Sequence, residues 1–209
     1  MTSPDIQEQV RNYYTRKVTA YGPTPRGVDW NSREGQVERF EQLLKLCDRG
    51  SEYSLIDLGC GYGALLDHLR AAGDQVHYHG IDLSEAMIRE ARTHHLDEPP
   101  ATFEVGAASD QPADYVVASG IFNVKQETLD EIWHEYILET LEQMSRMATR
   151  GFAFNLLTSS SEPARQRPDL HYASPCRLFE VCQRRFTRHV SLLHDYGLWE
   201  FTILVRKDR

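Results

Sequence analysis

The sequence predicts an α/β fold: a seven-stranded, mainly parallel sheet with helices on both faces, an antiparallel C-terminal hairpin and an N-terminal helical cap. Three observations carry that expectation. From Tyr53 onward, short apolar runs alternate with amphipathic stretches, which is the rhythm of repeated βαβ units. The first apolar run ends in three glycines at alternate positions, and the second ends in a carboxylate. The last two apolar runs are separated only by Asp195-Tyr196-Gly197, too few residues for a parallel crossover, so they form a hairpin.

Taken in order, Ile6, Val10 and Tyr13–Tyr14 repeat at helical spacing, and Tyr21-Gly22-Pro23-Thr24-Pro25-Arg26-Gly27 ends that helix. Asn31 or Ser32 then caps a second helix whose apolar stripe is Val37, Phe40, Leu43, Leu44 and Cys47, with Gly50 as its stop. Strands are predicted at 53–58, 76–81, 102–105, 114–118, 151–157, 187–194 and 198–206, and helices at 62–72, 84–95 and about 127–149. Ser84, with Glu85 beside it, is a good helix N-cap. The polar, proline-bearing stretch Thr158–Pro168 reads as a surface loop. Residues 1–50 read as an N-terminal helical segment and 51–209 as the α/β part, together one compact domain.

Composition bounds the function. The chain has 209 residues, 41% hydrophobic and 26% charged, enough for a sizeable core. A formal net charge of −8 lacks the basic footprint that neutralises phosphates, which argues against a nucleic-acid partner. The amino terminus has no signal-peptide core and no apolar run approaches membrane-spanning length, so no membrane partner is expected. Cys47, Cys60, Cys176 and Cys182 fit neither a zinc spacing nor a disulfide framework, consistent with reduced thiols in the cytoplasm. The nine histidines show no metal spacing with carboxylates, and no metal is expected. The oligomeric state is not legible.

The chemistry concentrates in Leu55-Ile-Asp57-Leu-Gly59-Cys60-Gly61-Tyr-Gly63 and in Gly80-Ile81-Asp82-Leu83-Ser84. Glycines let a backbone approach a ligand closely, and a carboxylate on the neighbouring strand can accept both hydroxyls of a ribose. Gly-x-Gly-x-Gly differs from the Gly-x-Gly-x-x-Gly of a pyrophosphate cradle, because Ala64 follows Gly63 directly. The pattern resembles the cofactor loop of class I, Rossmann-like S-adenosylmethionine (SAM) dependent methyltransferases, and the terminal hairpin is similar to the end of their seven-stranded sheet. Segments 119–125, 151–158 and 194–207 also resemble a group of small bacterial methyltransferases of undefined substrate.

That resemblance implies SAM as cofactor and assigns residues to it. Asp57, Gly59, Cys60, Gly61 and Gly63 lie under the methionine part, with Asp57 holding the ammonium group directly or through water. Asp82 binds the ribose, and Leu83 and Met87 pack on the adenine. Related enzymes often place an acidic residue just after the third strand to bind the adenine amine. This chain has Ala107 there, so backbone groups of Ala107 and Ala108, or Asp110 reaching back, take that part. Ser119, after the fourth strand, lies where cofactor and acceptor meet. The Asn/Asp-Pro-Pro-Tyr/Phe tetrad of many amine methylases is absent from 118–123, which disfavours bases and amides as acceptors.

Methyl transfer from a sulfonium mainly needs alignment, and a general base only if the acceptor arrives protonated. Candidate catalytic residues are Tyr14 in the covering segment, Asn155 late in the fifth strand, and His171 in Asp169-Leu170-His171-Tyr172. The expected reaction is transfer of a methyl group from SAM to a small-molecule acceptor. Two other readings remain: a SAM-binding module without turnover, supported by Ala107, and a nicotinamide-dependent oxidoreductase, which the glycine spacing and terminal hairpin oppose.

Overall fold

In the computed structural model, which describes residues 2–96 and 101–207, the apolar runs of the sequence pair into one sheet. Its strands are β1 (Tyr53–Leu58), β2 (Val76–Asp82), β3 (Ala101–Val105), β4 (Ala113–Ala118), β5 (Ala148–Thr158), β6 (Tyr172–Ala173), β7 (Val190–Leu193) and β8 (Glu200–Arg206). The spatial order is β3-β2-β1-β4-β5-β8-β7, with β6 pairing beside the end of β5. Strands β1 to β5 run parallel, whereas β8 is antiparallel to β5 and β7 to β8. The seven expected strands are therefore present, and the two-residue β6, too short for any periodic signal, is added to them.

Six α-helices accompany the sheet: α1 (Ser3–Tyr21), α2 (Arg33–Leu44), α3 (Ala64–Ala71), α4 (Glu85–His94), α5 (Asp130–Met147) and α6 (Pro175–Arg185). Side-chain oxygens of Ser32, Ser84 and Ser174 accept hydrogen bonds from the third residue onward, capping α2, α4 and α6. Helix α2 stops at Leu44 rather than running to Gly50, because Leu46 and Cys47 turn back in three-residue bonds to Leu43 and Leu44. Helix α6 has no counterpart in the sequence-based expectation, although Ser174-Pro175 is a good helix start and Leu178 and Cys182 point to the core. It also shortens β7, since Phe186 still bonds back to the Cys182 carbonyl.

Two apolar layers flank the sheet. Helices α2, α3 and α4 pack Phe40, Leu65 and Ile88 on one face. On the other, α1, α5 and α6 bring Ile6, Val10, Ile137 and Leu178 onto Ile56, Ile81 and Phe154. The link from β3 to β4, residues 106–112, contains no helix. A crossover normally covers the sheet there with its own helix. Here α1 supplies the cover, burying Ile6 and Val10 in the same cluster as Leu58 and Ile81. The N-terminal helix is thereby brought against the carboxyl ends of β1 and β2, where sheets of this type hold ligands.

Candidate active site

The backbone between β1 and α3 is shaped by its glycines: Gly59, Gly61 and Gly63 all have positive φ, and Gly63 is the left-handed N-cap of α3. A Cβ on Gly59 would lie 2.3 Å from a methyl of Ile121, so the turn after β4 closes directly on this loop. The amide of Gly61 donates to Asp82 Oδ2 at 3.0 Å, and the amide of Ser84 to Asp82 Oδ1 at 2.8 Å. Those two bonds fix the carboxylate of β2 beside the glycine loop of β1. Asp57 is buried, and its Oδ2 accepts the hydroxyl of Tyr78 at 2.6 Å.

Among the described residues no lysine or arginine pairs with either carboxylate. Burial pushes the Asp57 carboxyl up to about 7, opposed by the Tyr78 hydroxyl and helped by the Asp82 charge. Burial likewise lifts Asp82 to about 6, against the two amides that favour its ionised form. The hydroxyl of Ser119 is buried and has no hydrogen-bond partner among the described residues. Two carboxyls without a cation, an orphaned hydroxyl and a glycine-lined approach fit a ligand that is itself cationic and carries hydroxyls. S-Adenosylmethionine, with its sulfonium, ammonium and ribose, has that chemistry.

These groups open into one cavity, whose empty space counted out into the solvent at its mouth is about 980 Å³. Asp57, Gly59, Cys60, Gly61, Asp82 and Leu83 line it, as do Met87, Ala107 and Ser119. Gly63 lies just behind the lining at the start of α3, and Ala108 is not part of the wall. Tyr14 lines the cavity from α1; burial and the nearby Asp29, Tyr13 and Asp82 raise its phenol, which stays protonated.

Asn155 and His171 lie elsewhere. The Asn155 carboxamide is fully buried, accepting the Gly120 amide at 2.7 Å and donating to Glu200 Oε2 at 2.9 Å. It sits behind the turn that lines the cavity rather than in the wall. His171 Nδ1 lies 3.3 Å from Asp130 Oδ1, burial lowers its pKa, and it is not a lining residue. Three ligand-type side chains, Asp67, His94 and His95, meet away from the cavity with their donor atoms within 4.8 Å of one another. The guanidinium of Arg70 stands 3.0 Å from His95 Nδ1.

Trp30, within the N-terminal segment expected to cover the site, lines the cavity, stacks under the Arg39 guanidinium at 3.8 Å, and has its ring 2.3 Å from where a Gly120 Cβ would be. Other site residues escaped the sequence reading. Arg39 is held by Glu200 through paired hydrogen bonds of 3.0 and 2.9 Å to its Nε. On α1, Gln7, Val10, Arg11 and Tyr14 present one face to the cavity, opposite Tyr136, Thr140 and Gln143 of α5. Their spacing of three and four residues is a readable signal, since polar residues interrupt an otherwise apolar stripe.

Among known proteins, residues 56–151 match the family described as Methyltransferase domain. Over 164 residues the chain is 49% identical to a Mycobacterium tuberculosis protein named "Putative methyltransferase Rv1506c", spanning 78% of this chain and 99% of that one. It is 24% identical over 184 residues to the malonyl-[acyl-carrier protein] O-methyltransferase of Pseudescherichia vulneris, spanning 87% of this chain and 67% of that one. The solved structure of DhpI with S-adenosylhomocysteine superposes over 100% of both chains with a TM-score of 0.65 at 16% identity, a likeness of fold.

Proposed function

This chain belongs to the class I S-adenosylmethionine-dependent methyltransferases, and on that premise we propose that it methylates a small molecule held beneath α1. The cofactor supplies an electrophilic methyl on a sulfonium. In the reaction the methyl–sulfur bond breaks as the acceptor's lone pair forms the new bond. S-Adenosylhomocysteine leaves, and a proton is lost from the acceptor if it carried one.

The observation that carries the reading is the cover. Helix α1 and the Thr24–Trp30 segment close over the glycine loop, with Val28 and Trp30 lining the same cavity as Asp57 and Asp82. Thr15 Oγ1 meets Ser84 Oγ at 2.8 Å, tying α1 to the start of α4, and Asp29 receives Tyr13 and Lys17, which joins the two parts of the cover to each other. A cavity roofed in this way supports an acceptor of modest size. The net charge of −8 argues against a nucleic-acid acceptor.

The residues then divide their work. Asp57 and Asp82 hold the ammonium and ribose ends, and the turn Ser119–Ile121 faces the methyl. Tyr14, kept protonated, serves as a hydrogen-bond donor toward bound ligand, while Asn155 is a positioning residue for the turn. Catalysis is alignment, an effect worth roughly 7–11 kcal/mol. The domain reading follows: residues 1–50 cover and 51–209 bind the donor.

The test is incubation with methyl-labelled SAM and a cell extract separated into small-molecule, protein and nucleic-acid fractions. Label appearing in the small-molecule fraction is the expected result. Label confined to protein or nucleic acid overturns the acceptor class, and no transfer to any fraction favours a binding module.

A further inference from the structure

The end of the cavity beyond Asp82 lacks the charged acceptor that a purine amine would seek. The loop after β3 reads Gly106-Ala107-Ala108-Ser109-Asp110. Of these, Gly106 and Ala107 line the cavity, neither with a polar side chain, and Asp110 is exposed and not in the wall. The same end is closed from the other side by α1 and α5, which contribute Gln7, Arg11, Thr140 and Gln143.

Two contacts locate these side chains relative to the ribose carboxylate. The Gly106 amide donates to the Asp82 carbonyl at 3.0 Å, tying the loop to the strand that carries Asp82. Two residues on from Ala107, the Ser109 amide lies 3.1 Å from Met147 Sδ, and Gln143 is one helical turn before Met147. Gln143 lines the cavity together with Ala107, and it also borders a second hollow along α5 with Glu139, Glu142 and Arg146. The Gly106–Asp82 bond keeps the Ala107 part of the wall beside the strand end that would hold a ribose.

The chemistry selects among the four. An exocyclic amine needs an acceptor, and Arg11 has only donors. The Thr140 hydroxyl is turned back onto the Tyr136 carbonyl at 2.9 Å. The carboxamides of Gln7 and Gln143 are half-buried, and neither has a hydrogen-bond partner among the described residues. A carboxamide pairs with an adenine edge through both its atoms, accepting from the amine and donating to a ring nitrogen.

Resting on the cofactor reading above, we propose that Gln143 reads the adenine of SAM from α5, taking the part of the acidic residue missing at Ala107. Gln7, on α1, is the other carboxamide lining the cavity. Adenine recognition is thereby moved from the loop after β3 to α5.

The experiment is displacement of S-adenosylhomocysteine, followed by calorimetry, using adenosine and purine riboside, which lacks only the exocyclic amine. The wild-type protein is expected to prefer adenosine by about tenfold, the size of one good hydrogen bond. Gln143→Leu removes the preference to within about twofold, and Gln143→Glu, which still accepts from the amine, keeps it. A Gln143→Leu protein that retains the full preference overturns the assignment. So does a wild-type protein that does not distinguish the two nucleosides, or a preference lost in Gln7→Leu instead. Failure of the wild-type protein to bind S-adenosylhomocysteine at all would instead overturn the cofactor reading beneath it.

Discussion

Asn155 and Glu200 form the hinge of the site: the carboxamide Nδ2 donates to Glu200 Oε2 at 2.9 Å while its Oδ1 accepts the Gly120 amide. Glu200 also receives the Arg39 guanidinium, whose other face lies on Trp30, and Trp30 packs on Gly120. The antiparallel strand β8 therefore reaches the turn after β4 by two routes, one through Asn155 and one through Arg39 and Trp30.

Breaking that cluster at Glu200 leaves a buried guanidinium without its partner. Glu200→Ala is expected to cost about 3–5 kcal/mol, read from urea denaturation. Replacing both charges, Arg39→Met with Glu200→Leu, should recover much of that loss. A single variant as stable as wild type would show that the pair is not what holds the turn.

Removing the Asp82 carboxylate takes away the proposed ribose acceptor and the anchor of the Gly61 and Ser84 amides together. Asp82→Ala should weaken S-adenosylhomocysteine at least ~100-fold in calorimetry, the scale of two hydrogen bonds to a charged group. Retention of wild-type affinity would remove Asp82 from the cofactor site.

Asp57 and Asp82 titrate at about 7 and about 6 in the ligand-free protein, against an ordinary 3.8. A carboxyl whose folded pKa is raised favours the fold in its neutral form. Its contribution is complete below about pH 4 and is lost as pH rises through 6 to 7. A cationic ligand reverses the balance, because it pairs with the ionised carboxylates. SAM affinity should therefore rise roughly a hundredfold between about pH 5.5 and pH 8 if both carboxylates must be ionised, with proton release visible as buffer-dependent heat. Affinity that falls across this range would contradict the assignment.

His171 stands outside the cavity, paired with Asp130. His171→Ala should leave cofactor affinity and methyl transfer to the small-molecule fraction within about twofold, with a stability loss of about 1 kcal/mol for the hydrogen bond. A loss of transfer with binding intact would return His171 to the chemistry.

The sequence by itself determined the mainly parallel character of the sheet and its closing hairpin. The first follows from the alternation of apolar runs with amphipathic stretches, the second from a loop too short for a crossover. It also pointed to the glycine loop and Asp82, because a backbone turn that needs positive φ leaves glycine in the text. Tyr78 under Asp57, and Glu200 behind Asn155, were not legible. Each contact joins residues whose nearness depends on strand register, and a hydrogen-bonded buried side chain looks in sequence like any polar residue. Helix α6 left a readable capping signal that the proline-bearing loop before it obscured. Only the tertiary structure decided that α1 fills the place of a missing crossover helix. That choice depends on which apolar face of the sheet is left uncovered, a property of the packed layers that no local segment contains.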